Sequence, residues 1–214
     1  MERALHWEWS GGKYSPLAAC AVAYLLVAAT VWTRGPAQRC LLAVDSVFFL
    51  TAAVVAFRSA PFELPRLTVT AAITALGLVV AGVVVLAGWR LGTLHKLFGK
   101  PLPWYHAAAY LLWAMTQQWI QQGFFFVRLE RFLSRHGACL AAGALFGLIH
   151  LPNPVLTPVT FLGGWMMSEV FQRYRSVVPL GIVHGLVGLA IALAVPDQIN
   201  HHMRVGLGYL EWGG

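Results

Sequence analysis

Apolar segments follow one another from residue 15 to residue 195, separated by short polar gaps, and no other feature of the sequence limits the fold so strongly. They run 15–33, 40–57, 67–89, 103–127, 137–151, 155–172 and 177–195. An α-helix crosses a bilayer in about 20 residues, which most of these lengths approach. The fifth is short and the sixth borderline, and only Leu151-Pro152-Asn153-Pro154 lies between them, a spacing that predicts a tight hairpin. Charged residues make up 11% of the chain against 58% hydrophobic, whereas a soluble domain carries about 25% charged residues on its wetted surface. The expectation is an all-α, multi-pass transmembrane bundle of about seven spans (six to eight), forming one membrane domain over residues 1–214, with lipid as its solvent.

The net charge of +7 would point to nucleic acid in a soluble protein. Here the cations sit in gaps between apolar runs, as at Arg34/Arg39, Arg128/Arg131/Arg135 and Arg173/Arg175, where they orient a membrane protein and meet lipid headgroups. Nucleic acid is therefore excluded as a partner. Seven spans place nine cations on the N-terminal side and six on the other. This bias predicts a cytoplasmic N-terminus, with the first apolar run retained as a span. Cys20, Cys40 and Cys139 have neither disulfide nor metal spacing.

Polar groups at membrane depth are costly, so they face an interior and often carry function. Three places qualify. The fourth segment holds Gln117, Gln118, Gln121 and Gln122, which at α-helical spacing share one broad face. That face serves either as interhelical hydrogen-bond glue or as the wall of a polar cavity. The fifth segment ends in His150 and the seventh contains His184, each in a run with GxxxG spacing that lets helices approach closely. At a rise of about 1.5 Å per residue, Gln117, His150 and His184 lie roughly 16, 20 and 14 Å from one membrane face. A shared site is therefore geometrically allowed.

At these residues the chain resembles the CAAX-protease and bacteriocin-processing membrane family, also called the Abi or type II CAAX prenyl endopeptidase family. Its signature is Glu-Glu-x-x-x-Arg, then Phe-x-x-x-His, then His-x-x-x-Asn, each on its own helix. Phe146-Gly147-Leu148-Ile149-His150 matches the second motif, and His184 with Gly188 corresponds to the third, with Gly in place of Asn. The first motif is replaced by Gln117-Gln118-Trp119-Ile120-Gln121-Gln122, followed by Gly123. The resemblance covers residues 100–195. It implies an integral membrane protein of a bacterial plasma membrane, acting as an endopeptidase on a peptide or lipidated protein. It assigns catalysis to Gln117, His150 and His184, and a site lined by Gln118, Gln121, Gln122, Phe146 and Gly188.

The substitutions bear directly on mechanism. The family's first glutamate is taken as the general base, and a carboxamide can hold a water but cannot take its proton. A base must then be His150, His184, or a carboxylate from elsewhere: Asp45 in the second segment, or Glu169 late in the sixth, which could instead pair with Arg173 at i,i+4. Glu130, near Arg128 and Arg131, reads as a loop ion pair. No cofactor is fixed by these residues, though a divalent metal such as zinc is compatible with them. Zinc is a weaker reading, because a catalytic site takes three protein ligands and the two motif histidines supply two, His201-His202 reading as loop residues. Three functions remain open: an endopeptidase without the motif glutamates, a non-catalytic immunity-type relative that binds a peptide, lipid or partner protein, and a small transporter.

Overall fold

A computed structural model describes residues 15–59, 66–94 and 104–213, and these contain helices but no strand. A helix occupies each of the seven apolar segments. They are α1 (Ser15–Val31), α2 (Gly35–Ser59), α3 (Leu67–Arg90), α4 (Trp104–Gln118), α6 (Arg135–Leu148), α7 (Leu156–Tyr174) and α8 (Val178–Ala194). Beyond α4 the chain winds as a π-helical segment, Trp119–Phe126, and a single turn, α5 (Val127–Leu129). Two short helices, α9 (Asp197–Asn200) and α10 (Leu207–Leu210), follow α8.

Among the described residues, α3 alone qualifies as a membrane span by length and composition: an 18-residue window within it has a mean hydropathy of 2.6. Leu76, Val79, Val83, Leu86 and Trp89 on α3 are all exposed, and such a continuous apolar surface is one that lipid covers. α8 with the Asp197–Met203 segment passes the same test only as a broken pair, bent by 117°. The expected count of seven spans is therefore larger than the helices individually support. α6 is 14 residues long, roughly 21 Å, and does not reach across a hydrocarbon core of about 30 Å.

Glycines set the helix packing. A Cβ on Gly143 would fall 2.7 Å from the backbone nitrogen of Trp165, and one on Gly147 2.7 Å from Phe161 Cβ, so α6 and α7 meet backbone to backbone. On α8, Gly181, Gly185 and Gly188 receive Met115, Leu111 and Tyr110 of α4, while Val183 and Ala194 on another face meet Gly77 and Gly88 of α3. α8 is thus the central helix of the α3–α8–α4 layer. Small residues provide this closeness where apolar solvent offers no driving force for helix association.

The π-helical segment explains how three consecutive phenylalanines are all buried. Phe124 and Phe125 pack with Cys20, Ala23 and Phe49 of α1 and α2, whereas Phe126 packs with Leu129, Cys139 and Phe171 on the other side. The segment is wedged between two helix pairs.

Both ends of the bundle are tied by polar contacts. Arg175 ends α7 with φ +48°, a left-handed conformation that costs a non-glycine residue about 1–3 kcal/mol. Its guanidinium holds both oxygens of Glu130, at 2.7 and 2.8 Å. Glu130 is therefore paired with Arg175, not with Arg128 or Arg131 as its sequence neighbours suggested. Arg128 donates to the Phe124 carbonyl at 2.8 Å. At the opposite end Asn153, fully buried, accepts from the backbone N–H groups of Val155 and Leu156. Its amide donates to Asn200 and to the Arg204 carbonyl, which fastens the C-terminal segment to the α6–α7 turn.

Two glycine substitutions should diverge. Gly143→Ala is expected to lower stability by about 1–3 kcal/mol through overpacking. Gly82→Ala, where nothing stands within 4 Å, is expected not to lower it. Unfolding in detergent, followed by circular dichroism, measures both.

Candidate active site

A cavity of about 1180 Å³ opens among α1, α2, α4, α6, α7 and α8 and is closed in part by the C-terminal segment. Its walls are largely apolar, with one polar group where α4, α6 and α8 converge and a second, including Arg34, Asp45, Arg204 and Glu211, toward α1, α2 and the C-terminal segment. Gln117, Gln121, Phe146, His150, His184, Gly188 and Asp45 all line it. Gln118 and Gln122 stand behind the wall, both 0% exposed. The broad face expected for the four glutamines is thus divided into two neighbouring pairs, Gln117/Gln121 toward the cavity and Gln118/Gln122 toward the protein behind it, and the winding changes from α to π between Gln118 and Trp119. Such π segments recur at functional sites.

The buried glutamines form a directed chain. The Ser168 hydroxyl on α7 shares its single proton between the Gly164 carbonyl at 2.8 Å and Gln122 Oε1 at 3.0 Å, and Gln122 Nε2 donates to Gln118 Oε1 at 3.3 Å. Gln118 Nε2 in turn donates to Gln121 Oε1 and to His184 Nδ1, each at 3.2 Å. An amide N–H only donates, so His184 Nδ1 must accept, and the neutral ring then carries its proton on Nε2. Ser168, which the sequence reading did not single out, anchors the whole relay.

His150 is set the other way. Its Nδ1 lies 2.6 Å from the Phe146 carbonyl oxygen, which can only accept, so the proton sits on Nδ1 and the Nε2 lone pair is left available. Phe146 meets both rings edge to face, with centroids 4.9 Å from His150 and 5.6 Å from His184. One phenyl therefore touches two imidazoles whose Nε2 atoms have opposite roles, an acceptor on His150 and a donor on His184.

The remaining polar groups are less engaged. Gln121 Nε2 is buried with no partner and lies against Gly164, whose missing side chain leaves room for it. Gln117 makes no side-chain hydrogen bond to a described residue. Asp45 faces the cavity from α2, one oxygen taking the Thr30 hydroxyl at 2.6 Å and the other unpartnered. Glu169 does not line the cavity. It pairs instead with His136 Nδ1 at 2.8 Å, in preference to Arg173. The α6–α7 contact carries Glu169 to the outside of the hairpin, away from the imidazoles.

Among the described residues no three His, Cys, Asp or Glu side chains stand close enough to hold a metal ion. His201 is stacked between Tyr209 and Trp212, and His202 pairs with Asp197. The three cysteines are free.

Residues 99–190, the stretch carrying the glutamine helix and both histidines, match the profile described as Type II CAAX prenyl endopeptidase Rce1-like. Over that stretch the chain is similar to this family. No curated protein and no solved structure matches it. The family's second motif is matched by Phe146 and His150, and the phenylalanine packs against both imidazoles. Its first motif has become the carboxamide relay.

Removing the relay's centre separates brace from wall. Gln118→Leu removes the partner of Gln122 Nε2, Gln121 Oε1 and His184 Nδ1 and is expected to cost about 1–3 kcal/mol. Gln117→Leu, which breaks no hydrogen bond to a described residue, should change stability by less than about 0.5 kcal/mol. Detergent unfolding of the two variants beside wild type checks the contrast.

Proposed function

We propose that the protein is a membrane endopeptidase that cleaves a peptide or prenylated protein, with His150 in place of the motif glutamates as general base. The observation that carries this is the opposed polarity of His150 and His184. One lone pair and one N–H, held on either side of Phe146 in the same cavity, are what hydrolysis of an amide requires: a proton acceptor for water and a donor for the oxyanion.

In this mechanism water, held by the Gln117 carboxamide, gives its proton to His150 Nε2 as its oxygen bonds to the scissile carbonyl carbon. The carbonyl electron pair moves onto oxygen, where the His184 Nε2–H meets it. Collapse of the tetrahedral adduct breaks the C–N bond, and the departing amine takes the proton from His150. The Gln118–Gln122–Ser168 relay positions His184 and fixes its tautomer. The cavity exceeds the usual range of about 300–1,000 Å³ for small-ligand sites and has an apolar lining, in keeping with a peptide that bears an isoprenoid chain.

Replacement of both motif carboxylates also supports a second reading, a non-catalytic relative that binds such a peptide without cutting it. Two substitutions tell the readings apart, each assayed with the purified chain in nanodiscs on an S-prenyl-cysteine peptide by mass spectrometry. Loss of the base in His150→Ala is expected to lower cleavage at least about 100-fold. Unchanged cleavage would remove His150 from the mechanism. Gln117→Glu is expected to raise an existing activity; cleavage appearing only in that variant would establish the binding reading for the native chain.

The topology belongs to the same proposal: seven helices crossing or entering a bacterial plasma membrane, with the N-terminus in the cytoplasm. Cys40, exposed near the start of α2, should then react with a membrane-impermeant maleimide in intact cells. Arg131→Cys, at the other end of the bundle, should react only after permeabilisation.

A further inference from the structure

The third family motif ends here in Gly188 instead of Asn, and the structure shows what occupies the space. A Cβ on Gly188 would overlap the Tyr110 hydroxyl. Tyr110 comes from α4, and both residues line the cavity. Gly188 lies one turn beyond His184 on α8, about 6 Å along the axis. The phenol therefore reaches the cavity wall beside the imidazole that presents an N–H.

Two further observations point the same way. The Tyr110 hydroxyl makes no hydrogen bond to a described residue, although a phenol in an apolar interior ordinarily finds a partner. Its position is also fixed mechanically. Gly181 and Gly185 admit Met115 and Leu111 of α4 against α8, so the helix bearing Tyr110 is clamped along two turns before the hydroxyl reaches Gly188. A donor held in place and not engaged by another described residue is suited to meet charge that develops only during a reaction.

We propose that Tyr110 is a catalytic residue that donates its phenolic hydrogen bond to the oxyanion of the tetrahedral adduct, together with His184 Nε2–H, from the space Gly188 leaves free. This deepens the endopeptidase reading above and rests on it. The donor is neutral, so it brings no buried charge needing a counter-ion, and its proton stays on the phenol while the carbonyl pair moves onto oxygen and back.

The test uses the full chain in nanodiscs with two probes: an S-farnesyl-cysteine tetrapeptide, and the same peptide with a phosphinate replacing the scissile amide, which carries a fixed anionic oxygen. Tyr110→Phe keeps the ring that fills the α4–α8 contact. It is expected to lower kcat about 100-fold with KM little changed, and to weaken phosphinate binding roughly ten- to a hundredfold while leaving peptide binding unaltered. Tyr110→Ala combined with Gly188→Asn, which returns a donor from α8, is expected to recover phosphinate selectivity. Cleavage by wild type with both readouts unchanged in Tyr110→Phe would overturn the role of Tyr110 and leave the endopeptidase standing. Phosphinate binding that depends on Tyr110 without any cleavage would overturn the endopeptidase and keep the donor. Failure of wild type to bind either probe would overturn both.

Discussion

Gln118 is completely enclosed by apolar helices, and its amide must therefore find every partner within the protein. It does so by accepting from Gln122 and donating to Gln121 and His184, with Ser168 closing the far end through Gln122. These contacts join α4, the π-helical segment, α7 and α8. The same bonds orient His184, so the interaction that satisfies a buried polar group also prepares the candidate site.

The glycine contacts make such a network reachable. Carboxamides span only a few ångströms, and the helices carrying them must approach to backbone distance. Gly143 and Gly164 bring α6 and α7 together, and Gly164 also leaves space for the Gln121 amide. Gly181, Gly185 and Gly188 do the same for α8 and α4. In water a glycine inside a helix is a liability of roughly 1 kcal/mol; in an apolar surrounding the close contact it permits outweighs that cost.

The replacement of acidic motif residues has a consistent electrostatic result. Glutamates and an arginine at positions 117, 118 and 122 would put charges into the interior, and charges there need partners and hydrogen bonds to offset desolvation. Carboxamides of nearly the same shape keep a hydrogen-bonding framework without that demand. What a carboxamide lacks is proton affinity; the lone pair available in this cavity is on His150, whose Nδ1 proton is held by a backbone carbonyl.

Much of this was legible in the chain itself. The seven helices lie where apolar runs predict them, since burial of the backbone in an apolar medium leaves helix as the local solution. Phe146, His150, His184 and the glutamines were identifiable because polar residues inside apolar runs are conspicuous, and Asp45 stood out for the same reason. Other features depend on which surfaces meet. The rotation of α4 put Gln118 and Gln122 behind the cavity wall, and the face of α7 that turns outward took Glu169 to His136. The choice of Arg175 as the partner of Glu130, 45 residues away, follows from how two turns dock. Tyr110 carries no local signal, because its meaning comes from a missing side chain on another helix. Sequence determined helices and composition, which are set by neighbours along the chain; only tertiary packing decided which hydrogen-bonding groups share a space, because that depends on helix rotations no linear spacing encodes.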